Sequence, residues 1–115
     1  MKIERFSDLV VWQEGHKLAL QVYRLTEKFP PRERFGIVAQ IRRSTASVCA
    51  NIAEGFGRRT TGELLRSLQI ARGEVEETRY FLILGRDLGF VAKKEFEDAH
   101  AACDVVSKLI NALSS

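Results

Sequence analysis

Leu64, Leu68, Ala71, Val75, Thr78, Leu82 and Gly85 recur at alternating steps of four and three over three heptads. Small and apolar residues at that interval line one side of an α-helix, and the two-residue period of a strand cannot reproduce it. A helix with such a stripe must bury it against another element. No segment of the chain shows strand alternation, so the partners are other helices.

The punctuation of the chain supplies those partners. Its two prolines are adjacent, Pro30 and Pro31, so the rest is free to be helical. Ser7 can cap a first helix over about 8–28, with Asp8 suited to its positive end. Leu9, Trp12, Ala19, Val22 and Phe29, with Tyr23 and Thr26, form its expected inner face. Phe29 precedes a proline and leaves the helical region. A second helix over about 33–54 carries Val38, Ile41, Thr45, Val48 and Ile52 as its seam, and Gly55 and Gly57 are expected to end it with a positive φ. Arg58 to Gly62 form a link in which Thr60 or Thr61 caps a third helix, 62–88, which Leu88 and Gly89 stop. A fourth, 93–112, turns Phe96, Ala99, Cys103, Val106, Ile110 and Leu113 inward. Four long helices with short links predict an all-α fold, an antiparallel up-down-up-down four-helix bundle in one domain spanning 1–115.

Several classes of function fall away. No apolar run approaches the roughly 18 residues of a membrane span, and the N-terminus has no apolar signal-peptide centre. The expectation is a cytoplasmic protein with no membrane partner. Cys49 and Cys103 have no CxxC or metal spacing and read as reduced, buried thiols. Glu97 and His100 make half of a carboxylate-bridged di-iron signature. The other half would be Gln13 and His16, and an amide lacks the required charge, so no metal or other cofactor is expected. Gly57 to Gly62 has the glycine interval of a phosphate loop, but Glu63 and Leu64 stand where Lys and Ser/Thr are needed. Ser44 and Ser47 have no histidine within helical reach. Nothing marks an enzyme.

Beyond its seam, the second helix has two more faces than one bundle needs. Ala39, Ala46, Ala50 and Ala53 form a line of small residues, and Gln40, Ser44, Ser47, Asn51, Glu54 and Arg58 a polar line. Short hydrogen-bonding residues suit close contact, so Ala46, Ser47, Ala50, Asn51 and Glu54 are the expected oligomer interface. The net charge of +3 is mild, but arginine outnumbers lysine two to one. Arginine serves both interface ion pairs and phosphate contacts. Arg72, Arg79 and Arg86 recur every seven residues beside Glu76 and read as an intrahelical ion-pair ladder. Arg42 needs a carboxylate across an interface, from Glu54, Glu74 or Glu77. Arg58 and Arg59 sit in a link with no opposite charge immediately beside them. Arg42, Arg43, Arg58 and Arg59 are therefore the candidate nucleic-acid contacts, the last two foremost.

The run from Gln40 to Arg59, QIRRSTASVCANIAEGFGRR, closely resembles the signature of the 23S rRNA intervening-sequence protein family. The resemblance extends into FSDLVVWQEGHKLALQVYRLTEKFP and FGIVAQIRR on one side and LLRSLQIARGEVEETRYFLILGRDLGF on the other. Cys49 stands where the family often has proline. The resemblance implies bacterial antiparallel four-helix bundles that assemble into homopentameric rings. It also implies kinship with the accessory variability determinant protein of diversity-generating retroelements, which binds nucleic acid and a reverse transcriptase. Two functions follow as expectations. One is a non-enzymatic homo-oligomer binding RNA or DNA through phosphates with little sequence specificity. The other is a scaffold ring for a protein partner such as a reverse transcriptase, without direct nucleic-acid binding.

Overall fold

The computed structural model describes residues 2–114. Its four α-helices are α1, Val10–Thr26; α2, Ile37–Gly57; α3, Thr61–Asp87; and α4, Lys93–Ser114. Short 3-10 turns at Phe6–Asp8 and Pro31–Glu33 precede α1 and α2. Each helix packs against its neighbours in sequence and α4 closes on α1, giving an all-helical four-helix bundle. The 27 residues of α3, at about 1.5 Å each, account for nearly all of the 43 Å long axis.

The seams of α2, α3 and α4 follow the sequence. Val38, Ile41, Thr45, Val48 and Ile52 are buried, as are Leu68, Ala71, Val75, Thr78, Leu82 and Gly85. Ala99, Cys103, Val106 and Ile110 complete the core from α4. Leu64 and Phe96 are only half-buried, and Leu113 is exposed near the chain end. Helix α1 differs. Its inner face is Val11, Gly15, Leu18, Val22, Leu25 and Thr26, while Leu9, Trp12 and Ala19 are half-buried and Tyr23 is exposed. At about 100° per residue, that is a rotation of roughly 80° from the expected stripe. Gly15 is the reason: a Cβ there would sit 3.0 Å from the Cys49 sulfur, so α2 packs directly on the α1 backbone. A missing side chain gives no hydrophobic signal.

The helix ends also depart from expectation in part. Ser7 lies inside the first 3-10 turn, and Leu9 occupies the α1 cap position without a side-chain bond. Asp8 instead accepts the backbone N–H groups of Glu4 and Arg5 through one oxygen, at 2.9 and 3.0 Å. Helix α2 begins at Ile37, not 33, because Pro31–Glu33 tightens into a 3-10 turn. It runs through Gly55 and Gly57, and neither supplies a positive φ. It also runs unbroken through Cys49. Thr60 caps α3 as expected, its hydroxyl accepting from the Glu63 N–H at 3.2 Å.

At the other end of α3, Gly89 takes φ +82°. The Phe90 N–H reaches back to the Gly85 carbonyl at 2.9 Å and the Gly89 N–H to that of Arg86 at 3.0 Å, closing a Schellman motif. Gly89→Ala should therefore cost about 1–2 kcal/mol in urea unfolding, the penalty of a left-handed Cβ. Gly73 is the contrast, helical with open space where a Cβ would stand. Gly73→Ala should add about 0.5–1 kcal/mol.

Candidate nucleic-acid interface

The connection between α2 and α3 is only Arg58, Arg59 and Thr60. Arg58 caps α2, donating its N–H to Glu54 O at 3.2 Å, and Arg59 then turns the chain with φ +64°. That left-handed conformation costs a residue with a Cβ roughly 1–2 kcal/mol, and glycine is its usual occupant. Two glycines lie within four residues upstream, yet an arginine holds this position. The Arg58 side chain lies 3.7 Å from Glu54, an exposed i,i+4 pair worth little. Arg59 is exposed and has no ion-pair partner among the described residues.

Against this connection lies the N-terminal segment. The Asp8 carboxylate fixes its turn, and the Glu4 and Arg5 N–H groups it accepts, together with the Arg5 charge, hold that carboxyl below its ordinary value. Phe6 packs edge-on against Trp12 at 5.2 Å, and Trp12 stacks on His16 at 5.0 Å. Between the segment and the connection opens a cleft of about 730 Å³. Its lining residues are apolar at Ile3, Phe6, Phe56 and Leu64, basic at Arg5 and Arg59, hydroxyl-bearing at Ser7, Thr60 and Thr61, and acidic at Glu4 alone. Arg5, Phe6 and Phe56 carry no signal in the sequence, because Arg5 and Arg59 are 54 positions apart and no periodicity links them.

The other two candidate arginines have work inside the subunit. Arg42 is not paired with Glu54, Glu74 or Glu77. Its Nε donates to Thr26 Oγ1 at 2.9 Å and its Nη2 to the Tyr23 carbonyl at 3.1 Å, with the guanidinium 4.6 Å from the Tyr23 ring centre. It thereby caps the C-terminal end of α1, where a cation is favoured. Arg43 bridges to Glu77 and, at 3.5 Å, to Glu74 on α3. Burial and then the Glu77 charge push the Glu74 carboxyl up, and Arg43 opposes them. The expected α3 ladder is present only in part: among the described residues Arg72 makes no ion pair with Glu76, and the Arg79 rung reaches beyond its own helix. Arg79 meets Glu76 at 3.3 Å but crosses to Asp104 of α4 at 2.7 Å, with His100 at 3.3 Å. Arg86 pairs with Asp87 and lies over Phe96.

Along α2, Ala46, Ala50 and Glu54 are exposed and Ser47 and Asn51 half-buried. Asn51 donates to the Ser47 carbonyl at 2.8 Å. The polar line does not stay together: Ser44 is fully buried and its hydroxyl meets that of Thr78 at 2.8 Å between α2 and α3. Both cysteines are free, Cys103 buried and Cys49 half-buried with its thiol toward the Trp12 carbonyl. Burial pushes Cys49 up to about 11 and Cys103 to about 12, which leaves them unreactive. Among the described residues no three His, Cys, Asp or Glu side chains are placed to hold a metal. No described helix is long and apolar enough to cross a membrane.

The family model for the 23S rRNA-intervening sequence protein matches residues 7–112. Among solved structures, the chain is similar to a protein with unknown function from the S23 ribosomal protein family from Bacteroides thetaiotaomicron VPI-5482. The two are 24% identical over 92% of this chain and 99% of that one, with a TM-score of 0.82. At that identity the likeness is one of fold. Neither description names an enzymatic activity. A comparison with curated proteins finds no match.

Proposed function

The chain belongs to the 23S rRNA-intervening sequence protein family, and on that premise we propose that it is a non-enzymatic, homo-oligomeric module that binds RNA or DNA through phosphate contacts. The observation that carries this reading is the free cation at the α2–α3 connection. Arg59 occupies a strained backbone position, has no ion-pair partner among the described residues and shares a cleft with Arg5. Arg58, weakly paired, stands beside it. Arg42 and Arg43 take part only as far as their intramolecular partners release them. The exposed Ala46 and Ala50 support a close helix contact between subunits, and a pentameric ring would repeat each cationic site around an axis. A protein of this composition works in the cytoplasm under this reading.

Phosphate contacts make binding fall steeply with salt and weakly with sequence. The double variant Arg58→Gln, Arg59→Gly tests this without risking the fold, because glycine relieves the left-handed strain. Light-scattering mass with and without a mixed-sequence RNA, over a salt series, supplies the readout. Wild type should shift with RNA at low salt, and the variant should lower the slope of log affinity against log salt by about 0.7–0.9 for each phosphate it no longer neutralises. An unaltered slope would sink the assignment.

A second reading, the protein scaffold, has one observation in its favour. Phe35, in the link between α1 and α2 at the far end of α2, is 87% exposed beside Arg34. An aromatic so placed suits a protein pocket. A wild-type particle that ignores RNA at every salt concentration would shift the assignment to this role.

A further inference from the structure

We propose that the cleft between the N-terminal segment and the α2–α3 connection takes one nucleotide unit of a single strand, its base on Phe6 and its phosphate on Arg59 and Arg5. This rests on the phosphate-contact reading and makes it specific: the protein would prefer unpaired nucleic acid. The sequence points the other way, since few exposed aromatics lie near Arg58 and Arg59 along the chain. Folding brings Phe6 there.

Three features of the cleft carry the inference. Its volume of about 730 Å³ falls within the range of small-ligand sites, roughly 300–1,000 Å³. That accommodates a single unstacked unit, whereas a base inside a duplex keeps both faces covered by its neighbours. The second feature is the Phe6 ring, 39% exposed yet backed by Trp12 at 5.2 Å and, through it, by His16. An aromatic ring held this way is a shelf for a base, because every base has a π-face. The third is charge. Arg5 and Arg59 line the cleft with Glu4, and the Asp8 carboxylate sits on the Glu4 and Arg5 N–H groups, so the acids of this segment lie beside Arg5. Arg59 has no ion-pair partner among the described residues and is left to meet the single negative charge of a phosphodiester. The Ser7 and Thr61 hydroxyls add neutral hydrogen-bonding capacity on the same walls. A purely electrostatic surface would need no aromatic wall, and an apolar protein contact would need no unpaired arginine.

Trp12 is the only tryptophan in the chain and touches Phe6, so its emission reports on the cleft. The full-length protein at low salt is titrated with four probes: a ten-nucleotide single strand, the duplex of the same sequence, a free nucleoside monophosphate and inorganic phosphate. The single strand should change Trp12 emission saturably and bind about tenfold tighter than the duplex, the scale of one base-stacking contact. Phe6→Leu keeps an apolar contact with Trp12 and should remove that preference, bringing the affinity for the single strand down to that for the duplex. Its far-ultraviolet circular dichroism should match wild type. Saturation by the monophosphate but not by inorganic phosphate, abolished in Phe6→Leu, would support the same chemistry with a free nucleotide as its source. Equal binding of strand and duplex, unaltered in Phe6→Leu, would overturn the base shelf and leave the phosphate contacts standing. Retention of no nucleic acid at all would remove both.

Discussion

Leu18→Ala should lower the unfolding free energy by about 2–5 kcal/mol, whereas Leu20→Ala, two residues on, should change it by no more than about 0.5 kcal/mol. Leu18 is wholly buried in the core and Leu20 is 42% exposed. Truncating Leu18 removes its transfer free energy and leaves a void among packed neighbours, which α1 cannot collapse into without pulling away from the helices on either side. The pair reads out the rotation of α1. The stripe drawn from sequence, through Leu9, Trp12 and Ala19, places Leu18 toward the edge of that face. Urea unfolding of both variants decides the matter: equal losses would mean that α1 is turned differently from the arrangement described. An unchanged m-value confirms that the difference lies in stability rather than in the compactness of the unfolded chain.

Gly55→Ala should be destabilising by about 1–3 kcal/mol, although alanine within a helix ordinarily gains about 0.5–1 kcal/mol over glycine. A Cβ at Gly55 would stand 2.3 Å from Ser67 Cβ and 2.4 Å from its Oγ, with the Glu63 carbonyl at 3.3 Å. The first obstacle is a carbon bonded to the α3 backbone, so no rotamer change removes it; one helix must move. Combining Gly55→Ala with Ser67→Gly deletes the obstacle and should restore most of the stability, giving a coupling energy well outside additivity. Additive losses in the double variant would show that the helices do not meet closely there. The same displacement would also reach Phe56, which follows Gly55 and lines the cleft.

These two positions show why reading the chain succeeds in one place and fails in another. Gly55 and Gly57 resemble a helix stop, because a glycine near the end of a polar run usually supplies a left-handed cap. The actual use of Gly55, a backbone approach to Ser67, depends on a residue twelve positions away across a turn. Gly15 follows the same logic toward Cys49 on the next helix. Arg42 does need a partner, as its place on α2 implies, but the partner is the C-terminal end of α1 rather than a carboxylate. Arg58 has no carboxylate immediately beside it in sequence, yet a helical turn brings Glu54 to 3.7 Å.

The residues alone determined the number of helices, the seams of α2, α3 and α4, a threonine cap at Thr60 or Thr61 and the Gly89 stop. Each of these is written in spacings of three or four residues, or in the dihedral limits of a single proline or glycine, so it is local. The tertiary structure decided which way α1 faces, which arginines are occupied, and that Arg5 and Phe6 line one cleft with Arg59 across 53 or more positions of chain. Those outcomes depend on which helix surfaces interlock, a choice made by packing between distant segments, and no period within one segment records it.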